Sequence, residues 1–231
     1  LNLLGQVYKS ETFEKALEFY NNALHLSEDK ESIQNNIGAL YFEFNKVKRA
    51  ISYFKKISNS DSNTKTLLNL AYAYIADNQF KEGWEKYEYR WKVDPGDKVV
   101  WPLKDKPLWD GKSSSGVLLW REQGIGDDII FLGLVPEAYE KAGKDMTVLI
   151  DPRLVAMCER SMPGIEFLPA VKGSVQEDRF NYHLPMGSLP RLFRSSEEDF
   201  SKTRESYLKA DMERVEVLRK ELGVEGKKVI G

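Results

Sequence analysis

The 231-residue chain predicts an α + α/β fold: a helical solenoid followed by a doubly wound parallel sheet. Three observations carry this. Small and aromatic residues recur at a step of 33 or 34 through residues 1 to about 92. From residue 116 onward, short apolar runs alternate with helical periodicity. At the head of this second regime, Gly116-Val-Leu-Leu-Trp-Arg-Glu-Gln-Gly-Ile-Gly-Asp-Asp-Ile-Ile-Phe131 reads as strand, tight loop and helix.

The repeat aligns Leu4-Gly5, Tyr8, Ala16, Tyr20 and Ala23 with Ile37-Gly38, Tyr41, Ala50, Phe54 and Ile57, and then with Leu70-Ala71, Tyr74, Gly83, Tyr87 and Arg90. Small residues fall where two helices cross closely, and aromatic residues fill the space between neighbouring hairpins. The pattern resembles the tetratricopeptide repeat (TPR), a helix-turn-helix of about 34 residues. Phe13–Tyr20, Val47–Phe54 and Phe80–Tyr87 look like three copies of its second helix. The first copy is one residue short between Gly5 and Ala16, which tightens that turn. Three repeats are near the minimum for a stable stack, so further repeats upstream or the next domain should support them.

Composition bounds the function. A formal charge of -2 and a pI near 5.9 give no broad basic field, which argues against nucleic acid or an anionic membrane as the main partner. No apolar run approaches the roughly 20 residues needed to span a bilayer, and the opening residues given do not read as a signal peptide, so none is expected. Cys158 is the only cysteine, which excludes an internal disulfide and fits a cytoplasmic location. With two histidines and one cysteine, a zinc site or catalytic triad has almost no raw material, and no metal site is expected. The glycines near 124 are followed by neither a phosphate-loop lysine nor the third glycine of a dinucleotide fingerprint. A first residue other than Met, and a strand-like Lys228-Val-Ile230 at the end, lead us to expect a chain that continues at both ends.

Residues 93–115 change character. Val93-Asp-Pro-Gly-Asp97 is turn chemistry, and the Trp/Pro-rich stretch after it is too aromatic for a free linker. Trp91, Trp101 and Trp109 predict a strap packed on both flanking domains.

Val117 to Trp120 lacks alternation, as expected of a strand buried on both faces. Gly124 and Gly126 can take positive φ and bring a ligand close to the backbone, and the next helix turns its free N–H groups toward that opening. Asp127 stands there either as a proton acceptor or as the cap of the helix. That helix is expected from about 128 to Gly143, bent or broken near Pro136. Met146–Ile150 is the second strand, Pro152 to Arg160 its helix, Ile165–Leu168 a third strand and Phe180–His183 a fourth. Leu184–Pro190 is a loop, 195–207 a surface excursion, and Met212 to Leu222 an amphipathic helix closed by Gly223.

Gly83-Trp-Glu-Lys-Tyr-Glu-Tyr-Arg-Trp91, Pro107-Leu-Trp-Asp-Gly111 and Leu118-Leu-Trp-Arg-Glu-Gln-Gly-Ile-Gly-Asp127 resemble bacterial TPR proteins with a glycosyltransferase-like domain, related to heptosyltransferases and O-GlcNAc transferases. The resemblance implies a GT-B fold of two Rossmann-like halves. Residues 1–92 would be TPR hairpins, 93–115 the strap and 116–231 the acceptor-side half; the half that binds a nucleotide-sugar donor would follow Gly231. It implies an inverting sugar transfer without a metal, with Asp127 as general base and Gln123, Gly124, Gly126, His183 and Ser188 holding the acceptor. His183 can equally satisfy a backbone carbonyl. Asn35, Asn36 and Asn69 would face a bound peptide on the inner surface of the repeats, or serve as ordinary polar surface.

Such a protein recruits a protein or glycan acceptor through its repeats, and the chain alone is expected to be inactive. The alternative is a non-catalytic scaffold with a degenerate glycosyltransferase-like domain. An incomplete solenoid can also pair through its end repeats into a homo-oligomer.

Overall fold

The computed structural model describes residues 12–58, 63–93, 102–202 and 206–228. They fall into two compact units: one within Leu1–Val100 and Pro190–Lys202, the other within Trp101–Leu189 and Thr203–Gly231.

The first unit is helical: α1 (Phe13–Leu26), α2 (Lys30–Glu43), α3 (Val47–Ile57), α4 (Thr64–Ala76) and α5 (Phe80–Tyr87), each packed on the next in the chain. Asp29 and Asn63 begin α2 and α4 by accepting from the amides of Ser32 and Thr66, two donors the helices would otherwise leave unpaired. The turns after α2 and α4 are alike. Asn45 and Asn78 take φ of 56° and 59°, and the amides of Lys46 and Gln79 close back on the carbonyls of Tyr41 and Tyr74. Asparagine tolerates this left-handed helix end better than most residues do.

Small residues sit where the repeat alignment puts them. A methyl on Gly38 would lie 2.5 Å from the Phe54 ring, and one on Gly83 would lie 2.7 Å from Ile75. Ala16, Ala50, Tyr20 and Phe54 are all buried in the unit's core. Trp91 ends a 3-10 turn, Glu88–Trp91. Leu4, Gly5 and Tyr8 of the first copy lie outside the described residues, as does Trp101.

The segment 195–202 is more ordered than the surface excursion expected of it. Leu189–Phe193 is a short helix, α9, and Glu197–Lys202 a 3-10 turn. One Asp199 oxygen accepts from the amides and hydroxyls of both Ser195 and Ser196, so the Asp199 carboxylate closes the start of the turn. Arg194 is only 2% exposed, and Phe200 packs on Phe80 with ring centroids 4.6 Å apart.

The second unit holds a four-stranded parallel sheet: β1 (Val117–Trp120), β2 (Met146–Ile150), β3 (Glu166–Pro169) and β4 (Tyr182–Pro185), in the order β3-β2-β1-β4. β1 is central and buried throughout, which explains its unbroken apolar run. β4 begins two residues later than expected and takes in Leu184 and Pro185. Its outer edge is covered: the amide of His183 donates to Pro107, and that of Trp109 donates to His183. These ladder bonds, rather than side-chain pattern, fix where the strand lies. Trp109 is buried here, its indole N–H on the Ser113 carbonyl.

The helix expected over 128–143 is two helices, α6 (Ile125–Leu132) and α7 (Val135–Lys141), interrupted at Gly133-Leu134. Pro136 sits in the first turn of α7, where its missing N–H costs nothing. α8 (Val155–Ser161) follows β2, and α10 (Met212–Glu221) closes the described chain without one buried residue. Its expected apolar face, with Met212, Leu218 and Leu222, is exposed. Of the strand expected at 228–230, Val229 and Ile230 lie outside the described residues.

Candidate functional site

The strand order changes direction at β1: β2 and β3 lie on one side of it and β4 on the other. Ligands of open α/β sheets gather at the carboxyl ends of strands at such a reversal. The two segments that leave it here are 121–124 after β1 and 186–188 after β4.

The two segments are tied together. Glu122 crosses to accept from the amide of Gly187 at 2.8 Å. A Cβ on Gly187 would stand 2.6 Å from the Glu122 carboxylate, so the bond depends on glycine there. The pairing of Glu122 with Gly187 is not legible in the sequence, because they are 65 positions apart and no local pattern links them.

At the start of α6, Gly124 is the residue before the first helical one, and Asp127 Oδ2 accepts its amide proton at 3.0 Å. Asp127 therefore caps the helix. It is half-buried, and its second carboxylate oxygen has no hydrogen-bond partner among the described residues. Neither glycine uses a positive φ: Gly124 is extended at φ -81°, and Gly126 is helical. The chain passes from strand to helix without a left-handed residue, so the value of Gly126 lies in space. Nothing comes within 4 Å of where its Cβ would be.

Behind the loop lies a charged network. Arg121 Nε donates to Asp128 at 2.7 Å, its terminal nitrogen donates to the Gln123 carbonyl at 2.8 Å, and Asp151 lies 3.6 Å away. Asp128 is 1% exposed. Burial raises its carboxyl above the ordinary range, and the bond from Arg121 opposes this. Asp151 is held well below that range by hydrogen bonds from Arg153. The network pins the path of 121–124, and with it Gly124 and Asp127. The signal for it, Arg121 and Asp128 seven positions apart on either side of a tight loop, is legible only once the loop is folded.

Gln123 is exposed. Ser188 is fully buried in the 3-10 turn Met186–Ser188. His183 is 1% exposed within β4: its Nδ1 accepts from the indole N–H of Trp120 at 3.0 Å, and it donates to the Lys106 carbonyl. Burial lowers its pKa and that donation opposes the shift; because Nδ1 accepts the indole proton, the ring's own N–H is at Nε2. In the helical unit, Asn35 Oδ1 accepts from Thr66 Oγ1 and Asn69 Nδ2, joining α2 to α4, while Asn36 is half-buried.

No family model matches the chain. Among curated proteins it is similar to Protein FlbA of Caulobacter vibrioides, 24% identical over 220 residues that take in 87% of this chain and 37% of that protein. The chain thus spans little more than a third of the relative it matches.

A cavity of about 510 Å³, lined by Tyr139, Lys144, Ser161, Ile165 and Tyr207 among others, opens near the amino ends of β2 and β3, away from Asp127. Cys158 is buried, and its thiol is pushed up to about 11, chiefly by burial, which makes it inert. Among the described residues, no group of three or more His, Cys, Asp or Glu is placed to hold a metal ion, and no helix is long and apolar enough to cross a membrane.

Proposed function

We propose that these residues are the TPR and acceptor-side part of an inverting, GT-B glycosyltransferase. The observation that carries the reading is the carboxylate of Asp127 beside the open backbone of Gly126, at the reversal of strand order. An acceptor hydroxyl would give its proton to the second Asp127 oxygen as its own oxygen bonds to the anomeric carbon. The bond from that carbon to the nucleoside diphosphate breaks, and the diphosphate leaves with the electron pair. Gln123 and the Gly126 backbone would contact the acceptor, and Glu122 and Arg121 would hold the loops that carry it. His183 and Ser188, both buried, would act through the packing beneath. The nucleotide-sugar donor belongs to a half outside these 231 residues.

The 33-residue recurrence of turn, small residue and aromatic residue supports TPR hairpins that recruit a protein or glycan acceptor. In the full-length protein, Asp127→Asn should lower sugar transfer by about 10²-fold or more while the fold is retained. Unchanged transfer removes Asp127 as base.

A second reading has its own support. The bond from Gly124 to Asp127 gives that carboxylate a purely structural task, as a scaffold with a degenerate transferase half would need. Full-length protein that neither transfers nor hydrolyses any nucleotide sugar, yet binds a partner through residues 1–92, would favour it.

A further inference from the structure

The chain is weakly acidic overall, yet α3 concentrates positive charge on one face. Lys48, Arg49, Lys55 and Lys56 are exposed, whereas Ala50, Ile51, Phe54 and Ile57 are buried on the opposite side. The four cations stand three or four positions on either side of Ser52, so they form a ring around one exposed hydroxyl. Among the described residues, none of the four makes an ion pair.

Three of them are pre-placed. Arg49 lies 5.7 Å from the Tyr41 ring centroid, Lys55 lies 5.4 Å from that of Tyr74, and Lys56 lies 4.9 Å from that of Tyr53. Tyr41 and Tyr53 themselves stack at 5.3 Å. Rings under these side chains restrict them before any partner arrives, which lowers the ordering cost of binding.

We propose that this face of α3 docks an acidic, extended segment of a partner protein. The charge and its spacing define the segment. Lys48/Arg49 and Lys55/Lys56 are seven residues apart, roughly 10 Å along the helix. Two acidic clusters about three residues apart in an extended chain match that distance. A membrane surface fits poorly, because no large apolar side chain on this face is free to insert. Nucleic acid fits poorly because the patch is short and the chain as a whole carries a formal charge of -2.

The test uses the 231-residue chain and a fluorescein-labelled peptide, Gly-Glu-Glu-Gly-Glu-Glu-Gly, with its glutamine counterpart, read by anisotropy. The acidic peptide should bind at least about tenfold more tightly than the amide peptide. Raising ionic strength from low to physiological should weaken it several-fold. Lys48→Gln/Arg49→Gln/Lys55→Gln/Lys56→Gln should abolish binding, whereas Arg214→Gln/Lys220→Gln on α10 should not. Equal binding of the two peptides, or binding that survives the quadruple substitution, overturns the proposal. So does binding to phosphatidylserine vesicles or duplex DNA in preference to the peptide, or a low-salt dimer of the chain that the quadruple substitution dissolves. The peptide comparison needs no variant, and the outcome is independent of Asp127 and of sugar transfer.

Discussion

The indole N–H of Trp120 donates to Nδ1 of His183 across the β1–β4 pair at 3.0 Å, and both side chains are buried. A proton on Nδ1 would break this bond and put a charge inside the sheet. The pKa of His183 is lowered in the folded state, so below the ordinary histidine value the unfolded chain binds more protons than the folded one. The stabilisation is complete above about 6.5 and is lost as pH falls. Thermal midpoints of the α/β unit should drop between pH 6.5 and 5, and His183→Asn should flatten that slope. An equal slope in the variant would assign the loss to other groups.

The cap formed by Asp127 can be separated from any role in transfer. Asp127→Ala removes the bond to the Gly124 amide and should cost about 1 kcal/mol in urea denaturation. Asp127→Asn keeps an acceptor oxygen and should cost less. A variant with nearly native stability and no sugar transfer in the full-length protein would separate the two roles.

Arg121 and Asp128 test the network beneath the loop. Arg121→Met leaves a buried carboxylate without its cation and should cost about 2–3 kcal/mol, at or below the usual range for breaking a buried pair because the guanidinium keeps 24% of its exposure. Arg121→Met/Asp128→Leu should recover most of that loss. If the double variant is as unstable as the single, the pair is not coupled as its geometry implies.

Gly38 tests the helical packing. A methyl there meets the Phe54 ring at 2.5 Å, so Gly38→Ala should destabilise the helical unit by about 1–3 kcal/mol, although alanine is the better helix former. A rise in the thermal midpoint would mean that the ring moves aside without cost.

Local chemistry made much of this molecule legible from its residues. The bounds of β2 follow from a run of apolar and β-branched residues, Met146–Ile150, closed by Asp151-Pro152. The break between α6 and α7 follows from Pro136, and the small residues under Phe54 and Ile75 from a 33-residue step. The contiguous Gly124-Ile-Gly126-Asp127 pointed to the candidate site, because the cap that starts the helix is made within those four residues. Periodicity within a segment reports which face is apolar, but not which segment will cover it. Tertiary packing therefore decided the rest. It set β4 beside β1 and so joined Glu122 to Gly187 and Trp120 to His183, more than sixty positions apart. It also drew residues 190–202 into the helical unit and left α10 with none of its residues buried.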